Sequence, residues 1–115
     1  MSWNRPLKPD LTSSQNLALG ALSYVTAIGR KFRVENVILR ASVPITETIT
    51  ITLDSINGAN YDTVLHTSDL IDGQDFVWRP QGELNLQNGD EIRVQCTNAN
   101  LVGTVYLTVK LGELV

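Results

Sequence analysis

The chain has 115 residues, 43% of them hydrophobic and 18% charged, with a formal net charge of −3. This composition excludes an intrinsically disordered chain, and the length accommodates a single domain. Because the chain holds one cysteine, Cys96, and one histidine, His66, a disulfide framework and a zinc site are excluded as well.

Charge is distributed unevenly along the chain. Residues 1–40 hold six basic and two acidic side chains, a net of +4, whereas residues 41–115 hold three basic and ten acidic ones, a net of −7. Such asymmetry can orient one copy against another, although the solvated faces of a small domain explain it equally well. Because an acidic chain lacks the basic footprint that phosphate binding requires, we expect no nucleic-acid partner. No apolar run is long enough to span a membrane, so we expect no membrane partner.

Residues 1–14 form a predicted extended arm. Two prolines remove backbone donors and favour extended conformations at the residues that precede them. A frayed terminus is the alternative interpretation. The predicted subunit contacts of the arm are Trp3, Leu7 and Leu11, which would be buried in a neighbour, and Arg5 and Lys8, which would steer the arm to acidic surface.

From Gln15 onward, apolar and polar residues alternate with the period of two that is typical of strands. The segment TETITITLDS alternates most cleanly, and its β-branched residues make a helix a poor alternative. Pro44 is predicted to break the strand before it. Turns are predicted at Asn57-Gly58, in the segment IDGQD and at Asn88-Gly89-Asp90.

Eight or nine short strands and no helical stripe are typical of a β-sandwich or jelly roll. The sequence therefore predicts an all-β, single-domain antiparallel β-sandwich, jelly-roll-like, over residues 15–115. The arm of residues 1–14 precedes it.

One strand carries a row of threonines. Thr46, Thr48, Thr50 and Thr52 alternate with apolar residues and make one strand face polar and nearly uncharged. Lysine or glutamate usually guards an exposed strand against association. Either another part of the chain covers this face, or it is a contact surface whose predicted contact residues are Thr48, Thr50 and Thr52.

No set of residues indicates catalysis, a metal site or a cofactor. The aspartates around Gly73 (Asp69, Asp72 and Asp75) suggest a calcium ion, but their spacing does not fit an EF-hand, and turns are rich in aspartate for conformational reasons. Tyr61 and Trp78 are candidates for stacking on a sugar ring, with a core role for Trp78 as the alternative. We therefore expect a protein that is not an enzyme.

Two segments, TITITLDSINGANYDTVLHTSDL and VWRPQGELNLQNGDEIRV, resemble small structural proteins of tailed-phage virions. The resemblance covers roughly residues 45–110, and its Leu-x-Leu-x-x-Gly-Asp turn also resembles other jelly-roll modules, such as tumour-necrosis-factor-like trimers. The resemblance implies a head decoration protein (cement or staple), which is part of the virion. Such a protein binds across capsid subunits and stabilises the head. The implied partners are the major capsid protein or other virion subunits, together with further copies of the chain. The alternatives are a phage tail or neck component, or a carbohydrate-binding module that uses Tyr61 and Trp78.

Overall fold

The computed structural model describes residues 10–26 and 28–113. Every strand pair within them is antiparallel, and they contain no α-helix. The prediction of an all-β, single-domain antiparallel fold is confirmed. The strands are β1 (Asp10–Asn16), β2 (Leu22–Val25), β3 (Phe32–Asp54), β4 (Thr63–Trp78), β5 (Leu84–Leu86), β6 (Glu91–Cys96) and β7 (Thr104–Glu113), with a 3-10 turn (Ala59–Tyr61) before β4.

β3 organises the sheet because it is long enough to pair with different strands at its two ends. Its residues 32–41 pair with β7 on one side and with β5 and the end of β4 on the other. Its residues 45–54 pair with β6 on one side and with the first part of β4 on the other. β1 adds to β7, and β2 adds to β6. We call the β1–β7–β3–β4/β5 part half I and the β2–β6–β3–β4 part half II.

The two predicted strand breaks are instead a bend in one long hairpin. β3 continues through Pro44 and β4 through IDGQD, so residues 10–26 and 28–113 form seven strands of unequal length rather than the predicted eight or nine short ones. The β3–β4 register shifts between Arg40 and Ile45, and Ile45 then pairs with Gly73. Proline donates no ladder hydrogen bond, and Asp72 adopts a left-handed φ of 52°. Residues that often end a strand therefore bend this hairpin.

A single hydrophobic core fills the space between the halves. The bend turns the inner faces of the halves toward each other, since the rings of His66 and Trp78, from the two arms of β4, lie 6.0 Å apart. Opposite β4, the edge strands β1 and β2 approach with Cα atoms within 8 Å, so the sheet is a nearly closed barrel. The innermost residues are Val37, Leu39, Val105, Leu107 and Val109 of half I and Ile49, Ile51, Ile92, Val94 and Cys96 of half II, all at most 1% exposed.

Of the predicted arm, residues 1–9 lie outside the described residues, and Trp3, Arg5, Leu7 and Lys8 lie there with them. Residues 10–14 belong to β1, which pairs with β7. Leu11, predicted to contact a neighbouring subunit, is half-buried against the core of its own chain because its pairing with Val109 turns it inward. The described residues contain no helix that is long and apolar enough to cross a membrane.

Candidate functional site

β4 is an edge strand over its whole length. Among the described residues its ladder partner is β3 alone, so its second edge carries backbone groups without a strand partner. Three apolar side chains on this strand stand out from the surface: Val64, Ile71 and Val77 are 60%, 77% and 58% exposed. Natural proteins usually shorten or cover such an edge, because it is a template for pairing with another chain. The β4 edge is therefore the first candidate contact surface.

The three predicted ion-binding aspartates follow β4 around the bend. Asp69 Oδ1 accepts a hydrogen bond from Thr48 Oγ1 at 2.8 Å, and Asp75 forms an ion pair with Arg40 at 3.7 Å. The backbone N–H of Asp72 donates to Thr46 Oγ1 at 3.0 Å. Within residues 10–26 and 28–113, no three His, Cys, Asp or Glu side chains are close enough to hold a metal ion. The aspartates thus supply negative charge along the edge strand.

Thr48, Thr50 and Thr52 lie half-buried on the outer face of half II. Thr50 Oγ1 lies 3.2 Å from Thr67 Oγ1, within hydrogen-bond distance. Thr50 pairs with Thr67 of β4 and with Gln95 of β6, and Gln95 pairs with Ser23 of β2. These four residues form a row across the outer face of half II, in which Ser23, Gln95 and Thr67 are exposed. No described strand lies over the threonines. They belong to a polar face that borders the β4 edge and also holds charged side chains, since Thr52 pairs with Arg93 and Thr48 donates to Asp69.

A cleft of about 410 Å³ opens at the bend, between β4 and the loop that joins β6 to β7. Its floor holds Glu47, which is only 4% exposed. Glu47 Oε1 accepts hydrogen bonds from Thr97 Oγ1 (2.7 Å) and from the Ala99 N–H (2.9 Å). Its Oε2 accepts one from the Asn100 N–H (2.9 Å). The cleft is lined by Thr46, Glu47, Thr48, Asp69, Leu70, Ile71, Thr97, Ala99 and Asn100.

The hydrogen bonds decide the ionisation of Glu47. Burial alone would raise the pKa of its carboxyl, but the bonds from Asn100, Thr97 and Ala99 together outweigh burial and lower that pKa below its ordinary value. Glu47 is therefore ionised at neutral pH. Burial, reinforced by the negative charge of Glu47, raises the pKa of the Cys96 thiol to about 11.

Sequence reasoning missed Glu47, although the sequence contains a signal for it. In the segment ITETITITL, Glu47 occupies the inward row between Ile45 and Ile49. A charged residue at an apolar position of a clean alternation indicates a buried charge with several hydrogen bonds, since an unpaired one would be too costly. The loop that supplies those bonds lies about fifty positions further along the chain, so the alternation alone did not identify it.

The structure does not bring Tyr61 and Trp78 together as a stacking platform. Trp78 is half-buried on the inner side of β4, where its ring stacks with that of His66 at 26° between the planes. The ring of Phe76 lies 5.9 Å from His66 on the same side. Tyr61 is 63% exposed in the turn before β4, and it takes part in no ring contact with the described residues.

Comparison with known proteins assigns the chain to no family. No protein-family model matches it, and no curated protein matches it. Among solved structures, it is similar to the NLP core of Drosophila, whose crystal structure is described as giving insight into pentamer formation and histone binding. The two chains are 11% identical with a TM-score of 0.46, over 89% of this chain and 96% of the other.

The predicted capsid-decoration function is corrected by this finding. A solved structure that is similar to the chain is described by pentamer formation and histone binding, and it does not come from a virion protein. The predicted phage function and capsid partner are therefore not supported. At this level of similarity the match assigns no function to the chain.

Proposed function

We propose that this chain acts by binding protein, without catalysis, and that it does so as a homo-oligomer. The observation that carries the proposal is the β4 strand, which combines an unpaired backbone edge with the exposed side chains of Val64, Ile71 and Val77. A sheet edge of this length binds by adding a strand or by burying its side chains against a partner surface.

The surfaces on both sides of β4 support a contact of protein-interface size. In half II, Val64 pairs with Thr52 and borders the polar outer face of that half. In half I, Val77 pairs with Ile38, and Tyr106 (53% exposed) lies on the same outer face. Aromatic and aliphatic side chains are typical of the core of an interface, and polar or charged side chains are typical of its rim. Charged side chains lie beside these apolar ones, since Arg40, ion-paired with Asp75, pairs with Tyr106, and Arg93 pairs with Thr52. The strand therefore carries exposed apolar side chains within a surface that also holds ion pairs.

The cleft at the bend also supports binding over catalysis. Its one buried carboxylate, Glu47, already accepts three hydrogen bonds from the loop between β6 and β7. A general base needs a free lone pair directed at substrate, and these bonds direct the lone pairs of Glu47 at the protein itself. Glu47 therefore shapes the surface beside β4.

The test is sedimentation velocity of the full chain over a range of concentrations, for wild type and for the double variant Val64→Lys/Val77→Lys. We expect wild type to sediment as an oligomer and the variant to dissociate. Loss of two valines that association would bury costs about 3 kcal/mol of binding free energy, roughly a hundredfold in the dissociation constant.

The matched control is Leu19→Lys, which also replaces an exposed apolar residue (83% exposed) but lies in the turn between β1 and β2. This variant should sediment as wild type does. A wild-type chain that remains monomeric at every concentration, or a β4 variant that associates like wild type, would overturn the proposal.

A further inference from the structure

We infer that the cleft at the bend binds the basic N-terminal segment, residues 1–9, of a second copy of the chain. This inference rests on the proposed function, because it names the partner of the β4 surface and the side chains that recognise it. It is carried by the charge of the cleft, by its apolar wall and by the position at which β1 begins.

The charge of the cleft is strongly one-sided. Glu47 and Asp69 are among its nine lining residues, none of which is basic. Asp72 adjoins the cleft through its hydrogen bond to Thr46. Because Glu47 is buried, its charge is poorly screened by solvent and attracts a cation more strongly than a surface carboxylate does. The cleft therefore favours a basic ligand.

The wall of the cleft adds an apolar surface. Leu70, Ile71 and Ala99 line it, and the side chain of Ile71 is 77% exposed. A ligand that matches this wall carries apolar side chains between its basic ones. The segment of residues 1–9 has this composition, with Arg5 and Lys8 as its charged residues and Trp3 and Leu7 as its large apolar ones.

The same acidic charge argues against pairing of two β4 edges. Two copies of the edge would bring Asp69, Asp72 and Asp75 of one chain against the same residues of the other, and like charges across strands destabilise the pairing. A basic segment removes this repulsion. The charge pattern thus favours a heterologous contact between the segment and β4.

The position of β1 favours a second copy over the segment's own chain. Asp10 pairs with Lys110, which pairs with Asn36 in the middle of the half I part of β3, several residues before the bend. A route to the cleft from there crosses about three strand spacings, roughly 14 Å, and runs about 20–25 Å along the strands. Nine extended residues span about 30 Å at most. The segment would use its whole length to arrive at its own cleft, with no residue left to bind in it.

The experiment is a charge-swap test on full-length chains, read by sedimentation velocity. One variant carries Arg5→Glu/Lys8→Glu, and the other carries Asp69→Lys/Asp72→Lys. We expect each variant alone to have a dissociation constant at least tenfold higher than that of wild type. An equimolar mixture should associate again, because each segment then finds a cleft of opposite charge on the other chain.

Lys31→Glu/Arg79→Glu is the matched control, since it changes the net charge by the same amount at two exposed positions away from the cleft. This control should associate like wild type. If the lysine variant fails to fold by circular dichroism, Asp69→Asn/Asp72→Asn replaces it and should weaken association without being rescued by the glutamate variant.

The outcomes separate this inference from the proposed function. If Val64→Lys/Val77→Lys dissociates the oligomer while Arg5→Glu/Lys8→Glu does not, the β4 surface is the interface but the segment is not its partner. If the mixture of charge variants stays dissociated, the segment does not exchange between copies and the inference fails.

Discussion

Glu47 shows how one side chain can connect distant parts of a small β-protein. It lies in β3, and the groups it binds (Thr97, Ala99 and Asn100) belong to the loop between β6 and β7. Three donors converge on a carboxylate that accepts hydrogen bonds only. The position therefore requires an ionised acid.

We expect Glu47→Gln to lower the free energy of unfolding by about 1–3 kcal/mol, because the amide nitrogen that replaces one oxygen meets backbone N–H groups and cannot accept from them. Urea denaturation of the two proteins measures the difference. Glu83→Gln removes an exposed carboxylate that forms an ion pair with Arg33 at 3.7 Å and accepts a hydrogen bond from Asn85 at 3.4 Å. It should change the free energy of unfolding by less than about 0.5 kcal/mol. Equal effects of the two substitutions would contradict the role given to Glu47.

The stability that Glu47 contributes depends on pH in a defined direction. Its pKa is lower in the folded protein than in the unfolded chain, so the contribution is complete above the unfolded value of about 4.3. It is lost as pH falls through the lower, folded value. We expect the urea midpoint of wild type to fall more steeply below pH ~4 than that of Glu47→Gln. If the urea midpoints of the two proteins change in parallel with pH, the Glu47 carboxylate makes no pH-dependent contribution to stability.

Cys96 should be inert in the folded protein. Its thiol is buried, and burial with the nearby charge of Glu47 raises its pKa to about 11, so little thiolate exists at neutral pH. We expect a thiol reagent at pH ~8 to react with the folded chain far more slowly than with the chain in denaturant. The rate of colour release by a disulfide reagent measures this, and comparable rates in both states would refute the burial argument.

At the scale of elements, the turn between β5 and β6 is locked to the connection between β3 and β4. Asp90 Oδ2 accepts from the Gln87 N–H at 3.1 Å, and its Oδ1 accepts from the Ile56 N–H at 2.9 Å. Gly89 has a φ of +100°, and a Cβ at this position would lie 2.7 Å from Ile56 Cδ1. Both the backbone conformation and the close contact require glycine here.

We expect Gly89→Ala to destabilise the protein by about 2 kcal/mol or more, since it combines a strained backbone with a steric clash. Gly82→Ala is the control: Gly82 also has a positive φ, of +75°, but a Cβ there has no neighbour within 4 Å. Its cost should be about 1 kcal/mol, from the backbone alone. Thermal melting curves compare the two, and a Gly89→Ala variant as stable as Gly82→Ala would contradict the clash.

The strands were predictable from the sequence because period-two alternation and turn residues are local signals. Asn88-Gly89 does lie in a turn between two strands, as predicted. Pro44 and IDGQD misled the prediction because their local signal is the same for a strand end and for a bend. Only the pairing of Ile45 with Gly73, across the hairpin, distinguishes the two.

At the scale of the whole molecule, the candidate site was less predictable than the fold. The threonine row and the three aspartates were identified from the sequence, but their positions beside an unpaired edge depend on which strand the topology leaves outermost. β4 alternates much as β3 does, yet β3 is paired on both sides and β4 on one. No local pattern carries that information, because strand order is set by contacts between distant segments.

An oligomer built on β4 should melt at a temperature that rises with protein concentration, because dilution favours the dissociated state. We expect this dependence for wild type and for Leu19→Lys, and its loss in Val64→Lys/Val77→Lys. Calorimetry across a wide concentration range measures it. A melting temperature of wild type that is independent of concentration would indicate that folding and association are not linked.

The central place of β7 has a consequence for synthesis of the chain. β7 follows the other six strands in sequence, yet it is inserted between β1 and β3. A growing polypeptide that has already emerged as far as β6 can close the bent hairpin and half II, while β1 has no neighbour to receive it. Half I can therefore be completed only once β7 is available, and until then the apolar inner faces of β1 and of the start of β3 lack their partner strand and are prone to misassociation.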